Sequence, residues 1–471
     1  MKITDSDKIK HRKLQNEGDL QKVSAEQKEY ADVCASPKII ETEITNTDEQ
    51  TDGLLERILT RDNLNQAYKQ VKRNKGAGGI DGMQVDELLP YLKENRNELI
   101  EAIRCGNYKP QPVRRVEIPK DNGKTRKLGI PTVVDRVIQQ AISQVLMPIF
   151  EQQFSDNSYG FRPKRSAQDA LKQCQRNITD GYRYVVDMDL EKYFDTVNHS
   201  KLIQILSETI KDGRVISLIH RYLNAGVMTG GVFARSQEGV PQGGPLSPLL
   251  GNIMLNECDK ELERRGHRFV RYADDMMIFC KSRRAAERTL ENIAPFIEDK
   301  LFLRINREKT KVDNVSKVKF LGYGFYNPKG QGRLRVHPQS IRKLKDKIRQ
   351  ITGRSNGMGI QKRKERLMQI VRGWVNYFKL ADMKRILKPL DEWMRSRIRM
   401  VIWKRWKKVK TRFTNLRKLG LDEERARRWA NTRKGYWRIA HSPILMRTLT
   451  NNRLKQAGYP NFYDYYLQVA V

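Results

Sequence analysis

The chain has 471 residues, and at ~100 to 200 residues per domain this length predicts roughly three folded units. Its 91 Lys and Arg outnumber 55 Asp and Glu to give a formal net charge of +36, a surplus typical of proteins that bind a polyanion. The sequence has no apolar run of ~18 to 20 residues and begins with a polar segment, so we expect a cytoplasmic protein without a membrane span or secretion signal. The five cysteines and six histidines form no C-x-x-C or H-E-x-x-H pattern, which argues against a disulfide framework or a zinc site.

The first part of the chain divides by composition into a tail and a helical extension. Residues 1–52 carry 12 acidic and 8 basic residues with little apolar periodicity, which predicts a mobile tail. From Leu54 the apolar spacing becomes helical, and we assign residues 53–110 to this extension. The glycine-rich sequence KGAGGIDG, residues 75–82, is interpreted as a flexible turn within it.

Residues 111–330 alternate short β-rich runs with helical stretches. RRVEIPK and TRKLGIP predict two strands of a hairpin around DNG, RYVVDMDL predicts a further strand, and RFVRY and MMIFC flank the sequence YADD. Strands and helices in this order predict an α+β sheet domain.

Residues 331–471 differ in composition from the rest of the chain. They contain 37 basic and only 9 acidic residues together with all six tryptophans, and they are predicted to be mainly helical. We place the boundary at the sequence NPKGQG, residues 327–332, which is typical of a turn-rich linker.

The sequence DEWMRSRIRMVIWKRWKK of this last region predicts a helix with one apolar face and one nearly all-basic face. Cations without intervening acids are suited to phosphate contacts, and Trp403 and Trp406 could stack on unpaired bases or pack in a core. The candidate RNA-binding residues are Arg395, Arg399, Lys404, Arg405, Lys407 and Lys408.

Two acidic segments could hold metal ions. Asp274 and Asp275 are predicted at the tip of a β-hairpin, where a structural turn is the alternative interpretation. Alternation along RYVVDMDL places Asp187 and Asp189 on one face of a strand, and periodicity alone does not choose between them. Three such carboxylates could bind two Mg²⁺ ions ~3.5 to 4 Å apart, the arrangement that suits in-line attack on a phosphate. Asp195 is expected to cap the following helix.

Together these segments resemble a known family. The spacing D-x-x-x-x-F from Asp189 to Phe194, then PQGGPLSP, then YADD is similar to the ordered motifs of reverse transcriptases. IPKDNGKTRKLGIPT, SYGFRPKRSAQDAL and RGWVNYF resemble segments of group II intron reverse transcriptases. Because no C-x-x-C pair or HNH-like cluster follows RGWVNYF, the resemblance is to the endonuclease-lacking bacterial, group IIC-like lineage. The resemblance implies a right-hand polymerase with a finger extension at 53–110, fingers and palm at 111–330, and an α-helical thumb/X (maturase) domain at 331–471.

The resemblance also implies roles for individual residues. Asp189, Asp274 and Asp275 would be the catalytic ligands of two Mg²⁺ ions, with the backbone carbonyl of Leu190 as an additional ligand. Phe194 would exclude the ribose 2′-hydroxyl, so that deoxynucleotides are favoured. The remaining implied contacts are Lys120 and Arg126 with the triphosphate, Gln242 with the templating or incoming nucleotide, and Gly76, Gly78, Gly79 and Arg162 with RNA.

The function implied is an RNA-directed DNA polymerase that copies intron RNA into DNA and also binds that RNA to assist splicing and mobility. Its expected partners are group II intron RNA, an RNA template with a DNA primer, deoxynucleoside triphosphates and target DNA. No cysteine or histidine cluster follows the X domain, so we expect no DNA endonuclease and priming from an existing DNA 3′ end. Two alternatives stay open: a reverse transcriptase of a retron, diversity-generating or CRISPR system, and an RNA-binding splicing cofactor with an inactive polymerase.

Overall fold

The computed structural model describes residues 53–119 and 125–469. The predictions of a tail at 1–52 and of a nucleotide contact by Lys120 therefore lie outside the described residues. These residues form two compact units, one of residues 53–177 and 181–314 and the other of residues 178–180 and 315–469. Among the helices described, none is both long enough and apolar enough to cross a membrane.

The first unit combines helices with two sheets. Its helices are α1 (Leu54–Leu59), α2 (Arg61–Asn74), α3 (Leu88–Arg104), α4 (Val133–Glu151), α5 (Ala167–Thr179), α6 (Tyr193–Thr196), α7 (His199–Thr209), α8 (Gly213–Asn224), α9 (Ser247–Arg264) and α10 (Arg283–Pro295), the last continuing into a π-helical turn at Phe296–Lys300. Its strands are β1 (Val113–Pro119), β2 (Thr125–Ile130), β3 (Tyr184–Met188), β4 (Val227–Thr229), β5 (Val232–Ala234), β6 (Arg268–Tyr272), β7 (Asp275–Cys280) and β8 (Lys311–Asn314).

One four-stranded antiparallel sheet has the order β6-β7-β3-β8. The strand predicted from RYVVDMDL is β3, which lies in the interior of this sheet, paired with β7 on one side and β8 on the other. This position agrees with its apolar residues, because Val185 and Val186 are fully buried. The long helix α9 is buried along most of its length in the same core, with Leu249, Met254 and Leu262 among its buried side chains. Asp275 begins β7, Asp274 lies in the turn before it, and Asp189 directly follows β3.

The second sheet has the order β2-β1-β4-β5. Strands β1 and β2 pair antiparallel from Arg114↔Ile130 to Pro119↔Thr125, which confirms the predicted pairing of RRVEIPK with TRKLGIP. Strand β4 adds to β1 in parallel and then turns back antiparallel into β5.

The helix after RYVVDMDL begins differently from the prediction. Asn198 has extended backbone angles, and its side chain accepts a hydrogen bond from the Lys201 N–H, so Asn198 caps α7. Asp195 lies within the short helix α6, where its carboxylate is 3.9 Å from the Arg115 guanidinium. The prediction that Asp195 is the cap is wrong because a separate helical turn precedes α7.

The second unit consists of a small sheet followed by helices. The sheet has the order β11-β10-β9, with strands β9 (Lys319–Phe320), β10 (Tyr323–Tyr326) and β11 (Arg333–Val336). The helices are α11 (Pro338–Ile351), α12 (Ile360–Phe378), α13 (Lys384–Arg405), α14 (Val409–Lys418), α15 (Glu423–Ala430), α16 (Tyr436–Ala440), α17 (Pro443–Thr448), α18 (Asn451–Gln456) and α19 (Phe462–Val469). An α+β region followed by a helical region confirms the predicted fold class.

The segment at 327–332 has a different structural role from the one predicted. It forms the turn of the antiparallel hairpin between β10 and β11, in which Tyr326 pairs with Arg333. Both strands belong to the second unit, so these residues turn the chain within a hairpin and do not link two units. The division into domains at residues 110 and 330 stays a prediction.

Candidate functional site

The sequence YADD forms the connection between β6 and β7. Tyr272 pairs with Asp275, which leaves Ala273 and Asp274 as a two-residue turn. Ala273 adopts a left-handed backbone conformation with φ of +56°, and both aspartates are exposed. The apolar strands on either side are buried, so the hairpin is fixed in the core while its two carboxylates reach solvent.

Asp189 reaches the same edge of the sheet from β3. Strands β3 and β7 are antiparallel, and their last pair is Met188 with Met276. If this register continued one step beyond the end of β3, Asp189 would stand opposite Asp275, the first residue of β7. In addition, Met188, Leu190, Asp274 and Met276 all contribute to the lining of one small pocket. Of the residues that the sequence predicts for this site, Leu190 and Asp274 share this pocket, Asp275 begins β7 and Asp189 follows β3 directly, and their convergence on a metal ion stays a prediction.

The register also separates Asp189 from Asp187. Asp187 lies within the ladder, paired with Met277 on one side and Lys311 on the other. Burial, and then the negative charge of Asp189, raises the pKa of Asp187 to about 6, although Lys311 acts in the opposite direction. Asp187 is therefore a half-buried strand residue, whereas Asp189 stands at the strand end next to the turn.

Lys309 is a member of this site that the sequence reasoning did not select. Its ammonium nitrogen lies 2.9 Å from Oδ2 and 3.2 Å from Oδ1 of Asp189. The backbone around Asp189 is held by the same segment, because its N–H donates to Thr310 Oγ1 and its carbonyl accepts from the Asn306 N–H. No local pattern signals this contact, since Lys309 and Asp189 are 120 positions apart.

The donors at this edge suit a magnesium ion. Aspartate carboxylates and a backbone carbonyl are hard oxygen ligands, the kind that Mg²⁺ prefers. In the part of the chain that the structure describes, no three acidic, His or Cys side chains converge at metal-binding distance. Lys309 supplies the positive charge beside Asp189. The residues fit the ion by the chemistry of their donors, and binding would require the carboxylates to converge and Asp189 to exchange Lys309 for the metal.

Phe194 follows Asp189 in the short helix α6. Its ring is half-buried and lies edge-on to Tyr193, with ring centroids 5.1 Å apart. Gly251 of α9 lies directly beside this ring, because a Cβ built there would be 3.1 Å from Phe194 Cε1. The Phe194 carbonyl accepts a 2.6 Å hydrogen bond from the Val240 N–H, which ties α6 to the segment that leads into PQGG.

Gln242 and Arg126 lie beside the β1–β2 hairpin. The Gln242 carbonyl accepts a 2.7 Å hydrogen bond from the Gly129 N–H, so the PQGG segment is joined to β2. Arg126 lies on β2 opposite Ile118 and is half-buried. These contacts connect the predicted nucleotide-binding residues through the backbone, and their roles stay predictions.

The glycines of KGAGGIDG have a packing role. Gly78 and Gly79 are buried, and a Cβ would lie 2.7 Å from the Met83 carbonyl oxygen at Gly78 and 2.6 Å from Thr132 Cα at Gly79. The Gly78 carbonyl accepts hydrogen bonds from Arg114. The predicted RNA contacts at Gly78 and Gly79 do not fit this placement, because close packing already occupies both positions.

The same segment also faces a second arginine. Arg136 donates to the carbonyl of Ala77, and a Cβ at Gly76 would overlap the Arg136 guanidinium. Gly76 is only half-buried, so its prediction as an RNA contact stays open.

Two of the predicted RNA-binding arginines are buried. Arg162 donates to both carboxylate oxygens of Glu151 and to the carbonyls of Ser155 and Ser158. Arg399 donates to the Leu449 carbonyl and to Asn451 Oδ1. Predicting these two as RNA contacts is wrong for this structure, because each guanidinium is already used inside the protein.

The predicted RNA contacts on α13 and directly after it differ in their exposure to solvent. Arg405, Lys407 and Lys408 are exposed, whereas Lys404 is half-buried over the ring of Tyr436. Arg395 is also half-buried, with its guanidinium 4.0 Å from Asp391. Lys404 and Arg395 are therefore less accessible to solvent than Arg405, Lys407 and Lys408.

The two tryptophans of this segment pack against each other. Trp403 is 1% exposed, and its ring lies edge-on to Trp406 with ring centroids 5.7 Å apart. The Arg412 guanidinium lies over the ring of Trp403, 4.9 Å from the ring centroid. Core packing, the alternative left open by the sequence, is the role of Trp403.

Comparison with known proteins identifies both units. The family described as Reverse transcriptase (RNA-dependent DNA polymerase) matches residues 118–325, and the family described as Group II intron, maturase-specific domain, matches residues 341–420. Protein YkfC of Escherichia coli is 35% identical over 325 residues, covering 60% of this chain and 85% of YkfC.

Two further similarities are more limited in coverage. Group II intron-encoded protein LtrA of Lactococcus lactis is 32% identical over 381 residues, covering 65% of this chain and 63% of LtrA, so this chain spans less than two thirds of that relative. A solved chain of a partial Cas6-RT-Cas1--Cas2 complex is 23% identical, with a TM-score of 0.35, and covers 56% of this chain and 46% of its own length. The last similarity is too weak to carry an argument. On the two matched families and the similarity to YkfC, the chain carries a reverse transcriptase domain and belongs to the family of group II intron reverse transcriptases and maturases.

Proposed function

We propose that this protein copies intron RNA into DNA at the edge of the β6-β7-β3-β8 sheet, with Asp189, Asp274 and Asp275 as the ligands of two Mg²⁺ ions and the Leu190 carbonyl as a further ligand. The observation that supports this most directly is the β3–β7 register, whose last pair, Met188 with Met276, leaves Asp189 and Asp275 as the next residues at the same edge of the sheet. Bound Mg²⁺ would favour ionisation of the primer 3′-hydroxyl and stabilise charge on the pyrophosphate leaving group.

The protein's own residues position the reactants. The buried β6 and β7 strands fix the turn that carries Asp274 and Asp275. Phe194, held between Tyr193 and Gly251, would close the sugar 2′ side of the incoming deoxynucleotide. Gln242 and Arg126, joined through the Gly129–Gln242 hydrogen bond, would contact the template strand or nucleotide and its triphosphate.

Primer extension tests the polymerase assignment. Oligo(dT) annealed to poly(rA), supplied with dTTP and Mg²⁺, should be extended by the full chain, and Asp274→Asn should lower the rate at least ~100-fold. Asp299→Asn, which changes an exposed carboxylate elsewhere in the first unit, is the matched control and should extend normally. Extension by Asp274→Asn at the rate of the control would contradict the metal assignment.

We further propose that the helical second unit binds intron RNA and assists splicing. Supporting this are the maturase-specific match at 341–420 and the exposed cations Arg405, Lys407 and Lys408. The side chains of Arg425 and Arg427, by contrast, pair with nearby acidic residues. Unneutralised cations gain most from phosphate contacts, because binding releases counterions from the RNA.

Salt dependence tests the RNA-binding surface. Replacing Arg405, Lys407 and Lys408 with alanine should reduce the slope of log affinity against log salt for intron RNA by about 2, on the basis of ~0.7 per single-strand phosphate contact. Replacing Arg425, Arg427 and Arg428 removes the same charge from α15 and serves as the control. Equal changes in slope for both triple variants would contradict a specific role for the end of α13.

A further inference from the structure

A fully buried ion pair lies beneath the turn that carries Asp274. Arg271, on β6, and Asp259, on α9, both have side chains with no exposure. The Arg271 Nε donates to Oδ1 and Oδ2 of Asp259 at 2.8 and 3.0 Å, and Nη2 donates to Oδ2 as well. Burying two opposite charges is costly, and a well-packed apolar pair is often as stable, so stability alone does not explain this arrangement.

The remaining nitrogen of Arg271 reaches the turn itself. Its Nη1 donates to the Ala273 carbonyl at 3.0 Å and to Asn252 Oδ1 at 2.9 Å. Ala273 is the residue with φ of +56°, a left-handed conformation that is unfavourable for a residue with a side chain. The hydrogen bond from Arg271 therefore holds the strained residue immediately before Asp274.

Asn252 holds the same turn from a second direction. Its amide donates to the Gly160 carbonyl at 2.8 Å, and Gly160 lies so close to the turn that a Cβ there would overlap the Ala273 nitrogen. The chain before Gly160 is fixed to β6 as well, because the Arg271 N–H donates to the Asn157 carbonyl and the Arg271 carbonyl accepts from the Tyr159 N–H.

We propose that Arg271, Asp259 and Asn252 form a positioning device, here named the turn clamp, that fixes the Ala273–Asp274 turn in the geometry required for metal binding. The proposal rests on the proposed function, because it takes Asp274 and Asp275 as ligands. Asp259 orients the guanidinium and balances its charge, so that the turn receives a hydrogen bond without a net positive charge beneath the metal site. None of the three side chains touches the substrate in this role.

The apolar double variant Arg271→Met/Asp259→Leu separates positioning from stability. It removes both buried charges together, so the fold should persist. The double variant cannot donate to the Ala273 carbonyl, so its affinity for Mn²⁺ should fall about tenfold. Electron paramagnetic resonance measures this affinity on the full chain with a dideoxy-terminated primer on an RNA template. Arg271→Lys, which keeps the charge pair but loses the forked geometry, is the milder variant and should also bind Mn²⁺ more weakly.

A destabilised control excludes a general effect of lower stability. Asp212→Asn changes a buried carboxylate that bonds to the Leu55 N–H and to Arg214, and it should lower the melting temperature while leaving Mn²⁺ affinity unchanged. Loss of Mn²⁺ affinity by Asp212→Asn equal to that of the clamp variants would overturn the proposal.

The Asp274→Asn variant distinguishes failure of the clamp from failure of the proposed function. If Asp274→Asn loses Mn²⁺ binding while the double variant or Arg271→Lys folds and binds as the wild type does, the clamp is overturned and the metal assignment stands. If Asp274→Asn binds Mn²⁺ as the wild type does, the metal assignment fails and the clamp proposal fails with it. Weaker binding by Asp274→Asn and by the folded clamp variants is the expected result.

Discussion

The contact between Lys309 and Asp189 predicts an effect on metal affinity that runs opposite to an ordinary loss of function. The Lys309 ammonium lies 2.9 Å from Asp189 Oδ2, where it competes with any cation bound at that carboxylate. Replacing it with glutamine removes the competing charge. Lys309→Gln should therefore tighten the binding of a divalent ion in the absence of nucleic acid.

The exposure of the two side chains limits the size of the effect. The Lys309 side chain is 59% exposed and that of Asp189 33% exposed, so water and salt screen their attraction. Such pairs contribute ~0.2–1 kcal/mol, which corresponds to a change in affinity of up to about fivefold. The change should also shrink as ionic strength rises, because the pair is partly in solvent.

Titration with Mn²⁺, followed by electron paramagnetic resonance on the full chain, measures this effect at low and high salt. Arg307→Gln is the matched control, because it removes one positive charge from the same segment, where Arg307 pairs with Glu298. Unchanged or weaker Mn²⁺ binding by Lys309→Gln would refute the competition argument. Equal tightening by both variants would reduce it to a general effect of net charge.

Three further outcomes follow from the packing and the pKa values. Gly251→Ala places a methyl group 3.1 Å from Phe194 Cε1 and should displace that ring. In primer extension, kcat/KM for dTTP should then fall about two- to tenfold. Unchanged kinetics would show that the ring does not contact the nucleotide. Trp403→Ala should lower the free energy of unfolding by ~3–5 kcal/mol in urea titrations, because Trp403 is buried. Trp437 is 43% exposed, so Trp437→Ala should lower it by less than ~1 kcal/mol. Similar losses for the two variants would contradict the assignment of Trp403 to the core. The pKa of Asp187 is raised to about 6, so ionisation of its carboxylate destabilises the fold as pH rises through that value. Asp187→Asn should therefore stabilise the protein by roughly 1–3 kcal/mol at pH 8 and not at pH 4. An equal gain in the free energy of unfolding at both pH values would contradict the predicted pH dependence.

The local features of the catalytic hairpin could be predicted because they depend on neighbours in the sequence. Alternating apolar residues on both sides of YADD define two strands, and a two-residue turn is the short connection between them. The same reasoning recovered β3 and the β1–β2 hairpin. It could not choose Asp189 over Asp187, because alternation places both on one face and only the pairing with β7 distinguishes them.

The misassigned residues show where sequence patterns fail. An arginine in a basic segment has the same local pattern whether its guanidinium faces RNA or the protein interior. Arg162 is buried by a carboxylate 11 positions away and Arg399 by a carbonyl 50 positions away. Gly78 and Gly79 were predicted as RNA contacts from the family resemblance, whereas the chain uses them for close packing against Met83 and Thr132.

The sequence by itself determined the α+β region, the helical region that follows it, the strong positive charge of the latter and the hairpin that presents two aspartates. These properties depend on composition and on periods of two or 3.6 residues, which operate over a few neighbouring positions. Tertiary structure alone decided that Asp189 directly follows its strand beside the start of β7, that Lys309 pairs with Asp189 and that Asp259 and Asn252 of α9 hold the Arg271 guanidinium. Such contacts join segments far apart in the chain, and their free energies arise only when burial and strand pairing bring the charged groups together.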